Sequence, residues 1–275
     1  MHMIAVVFAG LALLSLAAHF WSVWRFERYA KRSMAQVRIS GVAVKYHPVN
    51  PETLPEIVRQ FIARAGVAAD GLPQSVYLRQ SAELRMGPDK PWQPLNCEQV
   101  ISVKTPGFVW YADQPRGAMS MVRVIDAFIE GRGFLQARLL GSIPVAHFSG
   151  PEADHSELMR YLAELPWAPD AALHNAALRW RAGDASMVEL EADSQGGVAR
   201  VRLYFNEDGD IVEMQADERG STENGVVVPR PWRGVFSEHR EMGGRRIPTY
   251  AEVGYLYNDG YAAYWRGRIT DYMIE

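Results

Sequence analysis

The residues best equipped for chemistry crowd into one stretch. Asp154, His155, Glu157 and Glu164 lie close together, with His147 shortly before them. One imidazole and two carboxylates, completed by water, are donors enough for a divalent metal or for acid–base work. The same residue types also collect at helix starts, where Asp154 caps and His155 and Glu157 sit near the positive end of the dipole or in solvent. None of the spacings is that of a metal motif, so the helix-start reading is preferred and no metal or cofactor is expected. Glu164 stands apart, three residues after Tyr161 and just before Pro166-Trp167. Over a barrel mouth its carboxylate would face the entrance and pair with an arginine on a mainly apolar strand, either Arg138 or Arg219. Such a pair is a structural latch or the polar end of a ligand site. The expected ligand-binding set is Tyr161, Glu164, Trp167, Trp110, Arg138 and Arg219, with Glu164 and His155 as the catalytic candidates.

The familiar catalytic signatures are absent: no G-x-S-x-G, H-E-x-x-H, Walker A, C-x-x-C or complete G-x-G-x-x-G occurs. Gly131-Arg132-Gly133 lies between two strand patterns rather than before a helix, which marks a tight bend. The one cysteine, Cys97, alternates with Leu95, Gln99 and Ile101 and reads as a small buried hydrophobe.

These residues sit on elements that the patterning makes plain. Leu54, Ile57, Val58, Phe61, Ile62 and Ala65 recur at helical spacing, giving an amphipathic helix over 52–66. After Gly71 and Pro73 the period becomes two, and strands follow at 76–86, 92–104, 107–113, 120–131, 133–140 and 143–148. Gly150-Pro151 opens a turn, after which Asp154 or Ser156 can cap a helix over 154–165 in which Leu158, Tyr161, Leu162 and Leu165 share a face. Hairpins then resume, turning at Gly196-Gly197, Asp208-Gly209, Gly243-Gly244 and Asn258-Asp259-Gly260. Val188, Leu190, Val201, Leu203, Phe205, Val212 and Met214 form an oily face, opposite a charged one carrying Glu189, Arg200, Arg202 and Glu213. About ten or more such strands cannot stay flat without exposing edge and apolar surface. The expected fold is mainly β (α+β): a curved antiparallel sheet or unclosed β-barrel with two or three covering helices.

The 275 residues carry a formal net charge of −3 with acids and bases interspersed, so no nucleic-acid partner is expected. From Ile4 to Trp24 no charged residue occurs, a run long enough to span a hydrocarbon core of ~30 Å as a helix. Arg25, Arg28, Lys31 and Arg32 follow, which by the positive-inside rule puts the domain in the cytoplasm. A cleaved signal peptide is the rival, but its basic n-region is missing. The chain divides into an anchor helix with basic flank (1–32), a tether (33–51) and a single β-rich domain (52–275).

Two resemblances carry further implications. Glu157 to Pro169, Pro106-Gly-Phe-Val-Trp110, Gly131-x-Gly133, Gly141, Trp232-x-Gly234 and Tyr264-Trp265-Arg266-Gly267 resemble the hallmarks of an uncharacterised bacterial family, whose members commonly begin with a hydrophobic helix. More distantly, the hairpin series and Arg246-Ile247-Pro248 are similar to the lipoprotein-carrier fold of outer-membrane lipoprotein sorting. That resemblance implies an unclosed barrel with helices over an acyl-chain cavity, and a periplasmic setting that competes with the charge rule. The leading expectation is a single-pass inner-membrane protein, tethered through residues 4–24, that holds a lipid or other apolar ligand. The alternatives are a hydrolase-type enzyme on an amphiphilic substrate with Glu164 as acid or base, aided by His147 or His155, and a membrane-bound scaffold that recruits partners along its sheet edges.

Overall fold

The computed structural model describes residues 2–40, 49–68, 73–117, 119–223 and 226–275. Its centre is a thirteen-stranded antiparallel sheet curled into a half-barrel. The first meander comprises β1 (Ser75–Leu84), β2 (Gln93–Ser102), β3 (Phe108–Arg116), β4 (Met119–Ile129), β5 (Arg132–Leu139) and β6 (Ile143–Ser149). The second comprises β7 (Arg179–Ala182), β8 (Met187–Ser194), β9 (Gly197–Phe205), β10 (Ile211–Glu223), β11 (Val226–Met242), β12 (Arg245–Tyr257) and β13 (Gly260–Ile274). The two meanders meet where β1 pairs with β13, from Val76↔Ile274 to Leu84↔Trp265. β6 and β7 are left as the two edges.

The elements follow the sequence pattern closely, and the departures have local causes. β7 has only four residues, too few to display alternation. A register slip between Ile211 and Glu213 turns Ile211 into the core, where the sequence reading had put Val212.

Helix α1 (His2–Ser40) is the largest departure. It continues through residues 33–40, which were expected to be tether, while residues 41–48 of that tether lie outside the described residues. Phe26, Ala30, Met34 and Val37, about one per turn, are buried on the outer sheet face against Tyr77, Val100, Val109, Ile125 and Ala127. Each fully buried large apolar side chain there contributes roughly 1.5–3 kcal/mol, enough to keep a helix docked where a tether would peel away. The outer face of the first meander is therefore oily too, although the expectation was a wet one. Polar contacts extend the seam: His19 Nδ1 lies 2.8 Å from Ser142 Oγ, Arg123 pairs with Glu27 at 3.3 Å, and Arg38 with Glu275 at 2.7 Å. By contrast, the apolar stretch from Val7 to Ala18 is exposed throughout.

The inner face carries the main core and three helices. Helix α2 (Glu56–Arg64) buries Val58, Phe61 and Ile62. Its Arg64 and Arg246 of β12 both donate to Asp210. Helix α3 (Pro151–Ala163) leaves edge strand β6, and the chain then passes through a 3-10 turn (Leu165–Trp167) and α4 (Ala171–His174) to edge strand β7. α3 packs on β4, β5 and β6 of one meander and on β8, β9 and β10 of the other. It therefore bridges the gap that strand pairing leaves open. Two glycines make room for it. A Cβ at Gly133 would stand 2.2 Å from the Ala153 carbonyl oxygen, and one at Gly196 the same distance from that of Pro151. The cap expected from Asp154 or Ser156 is absent, because the helix begins earlier, with Gly150 as its N-cap. Asp154 instead accepts a hydrogen bond from Gly133 N at 2.7 Å, tying α3 to β5.

Candidate functional site

Under α3 lies a strip of charge in an otherwise apolar interior. Glu157, Arg160 and Glu164 are spaced i, i+3 and i+7, so they share one helix face, turned toward the sheet. From β4, alternation sends Ile125 and Ala127 outward to α1 and Asp126 inward to this face. From β10, a bulge between Ala216 and Arg219 shifts the phase and turns Arg219 inward, leaving Asp217 and Glu218 exposed.

The strip forms two linked groups. Arg160 Nη1 donates to Asp126 Oδ2 at 2.6 Å and Nε to Glu164 Oε1 at 2.8 Å, while its guanidinium lies over Phe108 and Trp110, 4.9 and 5.1 Å from the ring centroids. Glu164 Oε2 accepts from Gln99, Gln80 donates to Gln99 at 3.2 Å, and Trp110 Nε1 donates to Gln80 at 2.9 Å. Beside this group Arg219 stands 3.6 Å from Glu157, stacks over Trp232 at 4.4 Å and donates to the Tyr264 hydroxyl at 3.3 Å. Tyr255 lies against the face of Tyr264 and donates to the Gly220 carbonyl at 2.7 Å.

Three carboxyls and two guanidiniums do not balance, and the orphaned atoms show where. Asp126 Oδ1 and Glu157 Oε2 are buried without a hydrogen-bond partner. Burial first, and then the Asp126 charge, hold the Glu157 carboxyl well above the usual carboxylate range, against the pull of Arg219 and Arg160. A proton kept on Glu157 and turned toward Asp126 leaves two anions facing two cations. Among the described residues, no three His, Cys, Asp or Glu side chains converge as a metal would require.

Of the residues expected from sequence, Glu164, Trp110 and Arg219 come together here. Glu164 pairs with Arg160, not with Arg138 or Arg219. Arg138 is on the opposite face, because it alternates with Phe134 and Gln136 on the side of β5 that meets α1; its guanidinium covers Phe26 at 4.6 Å. Tyr161 and Trp167 belong to the packed core. The Tyr161 hydroxyl donates to the Ser102 carbonyl at 3.0 Å and accepts from Asn175, while Trp167 Nε1 donates to the Pro248 carbonyl at 3.0 Å. His155 is half-buried near Gly196, its pKa lowered by burial. His147 is exposed on edge strand β6, 3.1 Å from Ser149 Oγ. The charged residues missed were Asp126 and Arg160. A lone charge inside the apolar run Val124–Ile129, and a helix Arg–Glu pair four apart, were the available signals.

The profile of a family of unknown function, DUF6544, matches residues 45–267. The chain belongs to that family. The matched range takes in the strip, including α3 with Glu157 and Arg160 and β4 with Asp126. No curated protein matches the sequence. Among solved structures, the chain is similar to a putative outer membrane lipoprotein-sorting protein domain from Vibrio parahaemolyticus, at 8% identity over 82% of this chain and 94% of that one, with a TM-score of 0.48. It is also similar to a LolA superfamily protein from Nitrosomonas europaea, at 11% identity over 79% and 93%, with a TM-score of 0.43.

Proposed function

We propose that this protein is a membrane-tethered holder of an amphiphilic ligand, taken up between the inner sheet face and α3. One observation carries the reading: the gap between edge strands β6 and β7 is closed by a helix and not by a strand ladder. Moving one helix therefore opens an oily interior without breaking any inter-strand hydrogen bond. Besides the apolar packing of Leu158, Met159 and Leu162, the helix is held by ionic contacts that a bound polar head or water can replace, whereas a permanently packed core gains little from buried charge over apolar side chains of the same volume. An apolar chain would lie along the inner face, and its head group would meet Arg160 and Arg219. The apolar run that ends at Trp24 serves as the tether, being part of a helix long and apolar enough to cross a bilayer. The test is native mass spectrometry of the full chain after gentle extraction from membranes, followed by titration with a lipid extract. A bound amphiphile that protects α3 from hydrogen exchange is expected. A chain that binds none, with α3 protected equally in all conditions, would overturn the reading.

A further inference from the structure

We infer that the groove between α1 and β5 binds the phosphate of an anionic phospholipid head group. It is a second site, on the face opposite α3, and it rests on the tether reading above. The groove has a volume of about 570 Å³ and is lined by Arg25, Arg28, Arg32 and Tyr29 of α1 and by Gln136 and Arg138 of β5.

Its charge is uncompensated. Among the described residues, none of these four arginines pairs with a carboxylate, whereas Arg123, on the neighbouring strand, reaches both Glu27 and Asp113. Arg138 is fixed in place: its Nη1 donates to Ser22 Oγ at 3.2 Å and its guanidinium lies over Phe26. Burial, and then the nearby Arg25 charge, depress its pKa. A flank that served only to orient the helix would need no fourth arginine from a strand of the domain. Forked guanidiniums approaching from two elements suit a tetrahedral anion with several oxygens.

The position selects a lipid as the source of that phosphate. The apolar run ends at Trp24, which also lines the groove, and Trp21 and Trp24 are exposed like interfacial aromatics. The β5–β6 turn reaches back into that run through Ser142 and His19. Edge strand β6, next to β5, also exposes Ile143 and Val145, 52% and 56% accessible. The bilayer surface therefore passes at the groove, where head groups of anionic lipids concentrate.

The full chain would be reconstituted in nanodiscs of phosphatidylcholine, with or without phosphatidylglycerol, and the lipids retained after release counted by native mass spectrometry. One phosphatidylglycerol is expected to stay bound in preference to phosphatidylcholine. Arg138→Gln, and independently the exposed Arg28→Gln, should each lower that retention about tenfold and leave phosphatidylcholine retention unchanged. Equal retention by wild type and both variants would overturn the site. So would displacement of the lipid by millimolar inorganic phosphate, which would make it a site for free anions. Flotation with phosphatidylcholine vesicles separates the two readings. A chain that floats without preferring phosphatidylglycerol keeps the tether and loses the site, and one that does not float loses both.

Discussion

Glu157 on the covering helix and Asp126 on β4 each bury one carboxyl oxygen without a hydrogen-bond partner, and burial, followed by the Asp126 charge, raises the pKa of Glu157. A proton between them makes the latch sensitive to pH, with a definite sign. Glu157 has an ordinary value of 4.5 and is pushed up to about 8 in the folded chain. Below 4.5 both folded and unfolded chains keep this proton and its contribution is complete. Between 4.5 and about 8 only the folded chain keeps it, so stability falls as pH rises. The melting temperature of the full chain should fall from pH 5 to pH 8, and Glu157→Gln should flatten that slope. A wild-type slope of the opposite sign, or an unchanged slope in the variant, would count against the shared proton.

Removing one member of the strip should cost more than removing its ionic character altogether. Arg160→Met leaves Asp126 and Glu164 buried and unpaired, a loss of about 3–5 kcal/mol. Combining it with Asp126→Leu and Glu164→Gln, which keeps an acceptor for Gln99, should restore most of that loss. Chemical denaturation of the two variants measures the difference. If the strip is a latch, the combined variant also exchanges α3 amide protons more slowly and takes up less lipid.

Gly133→Ala tests the close seat of α3. The new methyl group would meet the Ala153 carbonyl oxygen, which cannot retreat without shifting the helix. Overpacking of this kind costs roughly 1–3 kcal/mol. The expected drop in melting temperature is ~2–4 °C per kcal/mol, with faster exchange confined to α3 and its neighbours.

Docking of α1 is tested at Met34, which is buried at 4% exposure beside Tyr77 and Val100. Met34→Ala should destabilise by roughly 2–5 kcal/mol. Because the inner core is separate, the loss should appear first as tryptic cleavage at Arg32 and Arg38 with the sheet intact. Unchanged cleavage kinetics would mean that the contact is dispensable.

The fold was legible where local chemistry dictates it. Paired glycines at 196–197 and 243–244 mark hairpins, and period-two alternation brackets nearly every strand. The site was legible only in part. Alternation can show that Asp126 stands among apolar residues, but not which face α3 covers. Arg160 was missed because a helix buried over most of its surface has no polar stripe to set one charge apart. Arg138 was placed inside since its neighbours are apolar, yet two oily faces on one strand leave the direction of any single residue open. The docking of Phe26, Ala30, Met34 and Val37 was written in their spacing, but the arginines and lysine between them mask it.

The pairing of β1 with β13 has a kinetic consequence. It joins the first and last strands of the sheet, so closing it requires almost the whole domain to be synthesised and brought together. Each meander is built of hairpins with short connections and can form early. The joint between them is the most non-local contact in the sheet and should set the folding rate. Until β13 emerges, β1 presents an unpaired strand edge. Folding therefore ends at the C-terminus, and Gly260–Ile274 is the segment whose loss leaves two half-sheets without a joint.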